Sequence, residues 1–182
     1  MYACRVMDSP LSTWENFYVI IGSSAGALTG LQFVVIALIA EGRTPGSMPE
    51  IRAFGTPTIV HFCSSLLISA ILSAPWHSLT SAGVALSICG AAGVIYALLV
   101  VRHARRQTGY EPDAADWTWY VASPVLLYSS WAVSAIFLAR QHTSALFAIA
   151  AVALFLLFLG IRNSWDTVTY VALEHRKTKK IE

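Results

Sequence analysis

The chain has 182 residues, of which 56% are hydrophobic and only 12% are charged, with a formal net charge of +2 and a mean hydropathy of +0.61. A soluble domain carries about 25% charged residues, and half of that charge cannot cover the water-exposed surface of a chain of this size. The charged residues also occur in short clusters between long apolar runs. The composition therefore excludes an ordinary soluble domain and indicates a membrane protein.

Five apolar runs are long enough, or nearly long enough, to cross a bilayer. A spanning helix needs about 20 mostly apolar residues, because it crosses about 30 Å of hydrocarbon at about 1.5 Å per residue. In lipid these runs must be helical, since an open strand would leave backbone groups unpaired. The sequence predicts an all-α membrane protein with a single transmembrane domain over 1–182, and the five transmembrane helices are expected at about 17–40, 58–74, 78–101, 117–138 and 144–160, the last continuing as a helix to about 174.

The first predicted helix carries a row of glycines, Gly22, Gly26 and Gly30, at a spacing of four residues. Small residues at this spacing clear one helix face and allow a second helix to approach closely. The row therefore predicts a helix-packing face, either inside one subunit or between subunits. Gln32 lies deep in the same run and needs a hydrogen-bond partner there.

The segment between the first two helices, 42–57, is rich in glycine and proline. It contains Gly42, Pro45, Gly46, Pro49, Gly55 and Pro57. These residues are typical of turns and loops, so the segment is expected to lack regular structure.

The second helix carries a row of polar residues at a spacing of four: His61, Ser65, Ser69, Ser73 and His77. Each step of four advances about 400° around a helix, so the row drifts by about 40° per step. One interpretation is a hydrated path lined by His61, Ser65, Ser69 and Ser73, in which His61 acts as a pH-responsive gate or filter. The alternative is close packing, in which the serines bond backbone carbonyls and His61 faces the headgroups.

The fourth helix is unusually polar and aromatic, and it contains Pro124, which cannot donate a backbone hydrogen bond. Its polar and aromatic residues are Tyr120, Ser123, Tyr128, Ser130, Trp131 and Ser134. Such a helix is expected to face protein or water. Near its start, Asp116 is predicted to join Arg162 and Asp166 in a set of charges at the inner rim of the membrane, with solvated loop charges as the alternative.

The fifth helix is expected to run past the membrane. Apolar residues recur at helical spacing opposite a polar side; they are Ile161, Trp165, Val168 and Ala172, against Arg162, Asn163 and Asp166. The segment after it, 176–182, is basic. It is expected to anchor the topology or to contact anionic lipid.

Lysines and arginines predict the orientation. Ten of the twelve lie in 41–57, 102–116 and 161–182, and only Arg5 and Arg140 lie in the segments that would face the other side. Because short cytoplasmic loops are enriched in these residues, the bias predicts an N-terminus outside and a C-terminus in the cytoplasm.

No motif for catalysis is recognisable. The sequence has no HExxH, P-loop or Gly-x-Ser-x-Gly pattern, and its three cysteines form no CxxC pair. We therefore predict that the chain is not an enzyme and holds no metal or cofactor. A bis-histidine haem site, with His61 and His103 on neighbouring helices, is the remotest hypothesis.

Three stretches resemble a group of small bacterial membrane proteins, some of which are labelled modulators of a membrane AAA protease. They are SAGALTGL at 24–31, TPTIVHF at 56–62 and NSWDTVTY at 163–170. The resemblance implies a multi-pass protein of the bacterial inner membrane.

Two functions follow as expectations. The first is a homo-oligomeric channel or pore-like transporter, in which each subunit contributes its polar second helix to a pore. The second is a non-conducting regulatory or assembly partner of another membrane complex. Both predict the lipid bilayer and further copies of the chain as partners, and neither predicts a nucleic acid.

Overall fold

A computed structural model describes residues 10–41, 48–104 and 117–178 of the chain. The described residues are almost entirely helical, and their elements in chain order are a 3₁₀ turn (Ser12–Trp14), α1 (Glu15–Glu41), α2 (Met48–Ser73), α3 (Leu79–Ala104), a π-helical turn (Trp117–Ala122) that leads directly into α4 (Ser123–Ala139), and α5 (Ala145–Thr178). This confirms the prediction of an all-helical protein.

Within the described residues, five helices are long and apolar enough to cross a membrane, as the sequence predicts. The candidate spans are Ser12–Leu38, Thr56–Ser73, Leu79–Arg102, Thr118–Ala139 and Ala145–Thr169. The fold is therefore that of a multi-pass membrane protein. We call the end of the bundle where Arg102 and Arg162 lie the inner end, after the side that the charge bias predicts to be cytoplasmic.

The helices do not pack in chain order. α1 packs on α2, α2 on α5, α5 on α4 and α4 on α3, while α2 and α3 touch only weakly. The span of α5 is the most buried of the five. α5 therefore occupies the middle of the bundle, and the faces of α2 and α4 that meet it form the core.

Three glycines of α3 allow α4 to approach closely. A Cβ atom placed on Gly83 would overlap the backbone of Ala139, and one placed on Gly90 would lie 2.9 Å from the Cα of Ala132. A Cβ on Gly93 would overlap the ring of Tyr128. The absence of these side chains fixes the distance between α3 and α4, and it positions the Tyr128 ring inside the bundle.

The prediction that 42–57 lacks regular structure is wrong for its second half, because α2 begins at Met48. Pro49 lies in the first turn, where the missing N–H has no partner to lose. Pro57 lies inside the helix, where it removes one backbone hydrogen bond but leaves the helix continuous. Residues 42–47 lie outside the described part of the chain.

The two sides of the inner part of α5 differ in burial. Asn163, on the polar side, is 1% exposed, whereas Trp165 is 70% exposed and Val168 is 43% exposed on the apolar side. In a bilayer the outward side of a helix faces lipid, so the apolar side points outward and an amide lies inside the bundle.

Candidate functional site

His61 is the centre of a buried hydrogen-bonded cluster. Its Nδ1 lies 3.1 Å from the hydroxyl oxygen of Tyr128, and the Ser64 hydroxyl lies 3.1 Å from the same oxygen. His61 is 1% exposed and Tyr128 is fully buried, and the Tyr128 ring stacks on Trp131 with centroids 6.2 Å apart. His61 therefore faces α4 inside the bundle, and the orientation towards the headgroups that the close-packing alternative included is not observed.

The polar row of α2 meets a different helix at each step. His61 bonds Tyr128 on α4. Ser65 donates a hydrogen bond of 2.9 Å to the carbonyl oxygen of Ala153 on α5.

Further along the row, Ser69 packs against Gly22 of α1, where an added Cβ would lie 3.0 Å from the Ser69 Cβ. Ser73 is exposed. The drift of about 40° per step thus carries the row past three neighbours, so it does not line one continuous groove within the subunit. Its role as a hydrated path stays a prediction.

A small pocket lies beside His61, where α2, α3 and the start of α4 meet. Its volume is about 10 Å³, and it is lined by Pro57, His61, Tyr96, Ala97, Val100, Tyr120, Val121 and Pro124. A volume of this size holds about one water molecule, so neither a hydrated ion nor a porphyrin fits in this arrangement. The haem hypothesis therefore gains no support from the surroundings of His61.

The inner rim brings together two of the three predicted charges. Arg162 lies 3.6 Å from Asp166, and both side chains are more than one-third exposed. The Arg162 guanidinium also lies over the ring of Trp119 at 4.2 Å from the centroid, and the Tyr120 hydroxyl donates to Asp166 over 3.3 Å. These contacts hold α5 against the π-helical turn. Asp116 lies outside the described residues.

A part-buried hydrogen bond joins α1 to α5. Ser164 donates a hydrogen bond of 3.0 Å to Oε1 of Gln32, which supplies the partner that the sequence requires. The neighbouring Asn163 is buried, yet neither its Oδ1 nor its Nδ2 has a hydrogen-bond partner among the described residues.

The glycine row of α1 divides between two faces. Gly22 packs against Ser69, whereas a Cβ placed on Gly26 or on Gly30 meets nothing within 4 Å in the described part of the chain. Among the described contacts, Gly22 is therefore the glycine of this row that serves packing inside the subunit. Gly26 and Gly30 lie on the outward side of the helix.

Sequence reasoning missed the residues that position the cluster. It did not connect Tyr128 or Ser64 with His61, because no local spacing links α2 to α4. It also overlooked Gly83 and Gly90, although their spacing of seven places them on one helix face and could have revealed the α3–α4 contact.

The chain matches no known family model, and comparisons with curated proteins and with solved structures find no match.

Proposed function

We propose that the chain forms homo-oligomers in the membrane and acts as an assembly or regulatory partner of another membrane complex. The observation that carries this proposal is the outward α1 face, formed by Ser23, Gly26, Ala27 and Gly30. Ser23, Ala27 and Gly30 are exposed, and no described residue comes within 4 Å of a Cβ placed on Gly26 or on Gly30.

The opposite face of α1 is fully used by the bundle, since Tyr18, Ile21 and Ala25 are buried there. α1 therefore has one face committed to its own subunit and one face free. A free face of small residues lets a second backbone approach closely in lipid, where tight packing and not hydrophobic burial drives association.

The small residues of this face lie between exposed large residues of the same helix, Val19, Ile20, Leu31 and Val34. The outward sides of the other helices also carry large apolar residues, which include Ile88, Ile95, Leu126, Phe147 and Phe155. Large side chains keep neighbouring helices apart, so we expect a second backbone to approach α1 at the stretch 23–30.

A second candidate function is the channel or pore-like transporter that the sequence favours. The observation that supports it is the His61–Ser64–Tyr128 cluster, because hydrogen-bonding and ionisable side chains inside a span are expensive to bury and commonly serve transport. The pocket beside His61 has a volume of about 10 Å³, so conduction of a hydrated ion requires either a wider state of the subunit or a path between subunits.

Site-specific photocrosslinking in native membranes tests the first proposal. A benzophenone amino acid replaces Ala27 on the outward α1 face, and the control carries it at Ile95, which is 60% exposed on α3. We expect Ala27 to yield a self-adduct of twice the 19.8 kDa chain mass and an adduct with another membrane protein, and Ile95 to yield neither. Equal yields at the two positions, or none at Ala27, would refute association through this face.

A matched pair of glycine substitutions provides a second test of the first proposal. The leucine side chain of Gly26→Leu would extend into open space, so we expect the subunit to fold normally and to lose the adducts formed at Ala27. Gly22→Leu meets Ser69 inside the subunit and is expected to lower stability instead. Adducts that survive Gly26→Leu in full would contradict the proposal.

Flux measurements on purified protein in liposomes test the second candidate. Flux of any ion that Tyr128→Phe abolishes would favour the channel. If correctly assembled protein conducts none of the tested ions, the assembly function is the remaining proposal.

A further inference from the structure

The π-helical turn before α4, Trp117–Ala122, interrupts the α geometry of its span. A π turn closes its hydrogen bonds over five residues and an α turn over four, so the π turn holds one extra residue. Single π turns of this kind are frequent at functional sites. Conversion of the turn to α geometry would rotate the residues that precede α4 by about 100° and shift them by about 1.5 Å along the helix.

The hydroxyl of Ser123 has a hydrogen-bond acceptor in either geometry. It donates a bond of 2.8 Å to the carbonyl oxygen of Thr118, five residues earlier. In regular α turns of this chain the same type of bond reaches four residues back, as it does at Ser23 and Ser87. In an α turn Ser123 would therefore find the carbonyl of Trp119 instead.

Pro124 makes the two geometries similar in their backbone hydrogen bonds. A proline has no N–H, so it donates neither the bond that an α turn would direct to Tyr120 nor the bond that a π turn would direct to Trp119. Conversion therefore costs no backbone hydrogen bond at this residue. The rest of α4 is held by its close contacts with α3 at Gly90 and Gly93, so the change would be confined to the turn and the residues before it.

Two contacts with α5 favour the π geometry. The Tyr120 hydroxyl donates a hydrogen bond of 3.3 Å to Asp166, and the guanidinium of Arg162 lies over the Trp119 ring. A rotation of about 100° would break both contacts. Because the side chains of Arg162 and Asp166 are more than one-third exposed, each contact contributes only a small free energy. The π geometry is therefore held weakly.

The π-helical turn also forms one wall of the pocket beside His61. Tyr120 and Val121 line this pocket together with Pro57, His61 and residues of α3. Since α2 and α4 both run from the inner end to the outer end, Tyr120 and Val121 lie nearer the inner end than Pro124, and Pro57 lies nearer it than His61. The two residues of the turn therefore close the pocket on its inner side.

We propose that the π-helical turn is a gate, and that its conversion to an α turn withdraws Tyr120 from the pocket and opens His61 to water from the inner end of the bundle. In the closed arrangement His61 is 1% exposed. The gate depends neither on subunit association nor on conduction, so it goes beyond the proposed function. Its test measures neither adducts nor flux, and the two proposals can fail separately.

The reactivity of a single cysteine in the pocket wall measures the opening. The cysteine replaces Ala97, which is 3% exposed and lines the pocket, in full-length protein whose three natural cysteines are replaced by alanine. Lipid nanodiscs expose both ends of the bundle to the reagent, 2-aminoethyl methanethiosulfonate. The control cysteine replaces Ala135, which is fully buried on α4 and does not line the pocket. We expect Ala97→Cys to react faster than Ala135→Cys, and equal rates would overturn the gate.

Deletion of Ala122 is expected to hold the pocket closed. It removes the extra residue, so an α turn forms with Tyr120 in its present place, and Ser123 then follows Thr118 by four residues, as its hydrogen bond in an α turn requires. We expect the reactivity of Ala97→Cys to fall to that of the control. A deletion variant that folds and reacts as fast as the parent would contradict the proposal.

Tyr120→Phe removes the hydrogen bond to Asp166 and keeps the ring. We expect Ala97→Cys to react about 2- to 10-fold faster, which is the shift that one net hydrogen bond makes in an equilibrium. No increase would overturn the gate, even if the deletion variant does not fold. In the deletion background Tyr120→Phe should have no effect. An increase there would show that the missing hydroxyl leaves a gap and that the turn does not control the opening.

Discussion

Gly90→Ala is expected to push α3 and α4 apart and to destabilise the bundle. The added Cβ would lie 2.9 Å from the Cα and 3.0 Å from the backbone nitrogen of Ala132. Carbon atoms at optimal separation lie about 3.5–4.0 Å apart. Because the obstructing atoms belong to the backbone of α4, no side-chain rotation can relieve the overlap, and one helix must move.

The expected loss in the free energy of unfolding of Gly90→Ala follows from a comparison with Gly26→Ala. Inserting a methyl group into a well-packed contact costs about 1–3 kcal/mol, whereas glycine to alanine in a helix interior gains about 1 kcal/mol of helix propensity. Within a dissociated subunit, Gly26→Ala receives the gain alone, since its Cβ meets no described residue within 4 Å. Subtracting one variant from the other cancels the propensity, so Gly90→Ala should be less stable than Gly26→Ala by about 1–3 kcal/mol.

Reversible unfolding in mixed micelles of dodecyl maltoside and SDS, followed by tryptophan fluorescence, measures this difference. Equal midpoints for the two variants would refute the close α3–α4 approach. A double variant provides a second check. Ala132→Gly removes only the Cβ, which lies 3.3 Å from the added atom, and leaves the backbone overlap in place. It should therefore fail to rescue Gly90→Ala, and a full rescue would show that the helices are further apart than the structure places them.

Three further predictions concern topology and the polar residues. A single cysteine at Thr108 should resist an impermeant thiol reagent on intact cells, and one at His142 should react; the reverse pattern would overturn the orientation that the charge bias predicts. Tyr128→Phe should lower stability by about 1–2 kcal/mol, since it removes the hydrogen-bond partner of the buried His61 and of the partly buried Ser64. Ser64→Ala, which removes only one of the two hydrogen bonds, should cost less, and equal losses would contradict the cluster. If the polar row serves packing, Ser69→Val should leave both assembly and liposome flux nearly unchanged. A loss of flux without a loss of assembly would instead support the hydrated path.

The direction of the polar row on α2 could be predicted from the sequence, but its neighbours could not. Helix geometry alone makes the row drift around the helix. As a result, His61, Ser65 and Ser69 contact α4, α5 and α1 in turn. The identities of those neighbours could not be predicted, because the hydrogen bond from α2 to Tyr128 joins residues 67 positions apart.

The sequence by itself determined which segments form helices long and apolar enough to span a membrane, together with their approximate limits. The physical reason is that lipid cannot satisfy backbone polar groups, so every apolar run of sufficient length must form a helix. The tertiary structure alone decided which side of each helix faces the protein. In a bilayer, protein interior and lipid both accept apolar side chains, so hydrophobicity alone does not mark the packed face of a helix, and close steric fit selects it. Gly22 and Gly26 look alike in sequence, yet one packs against α2 and the other faces outward.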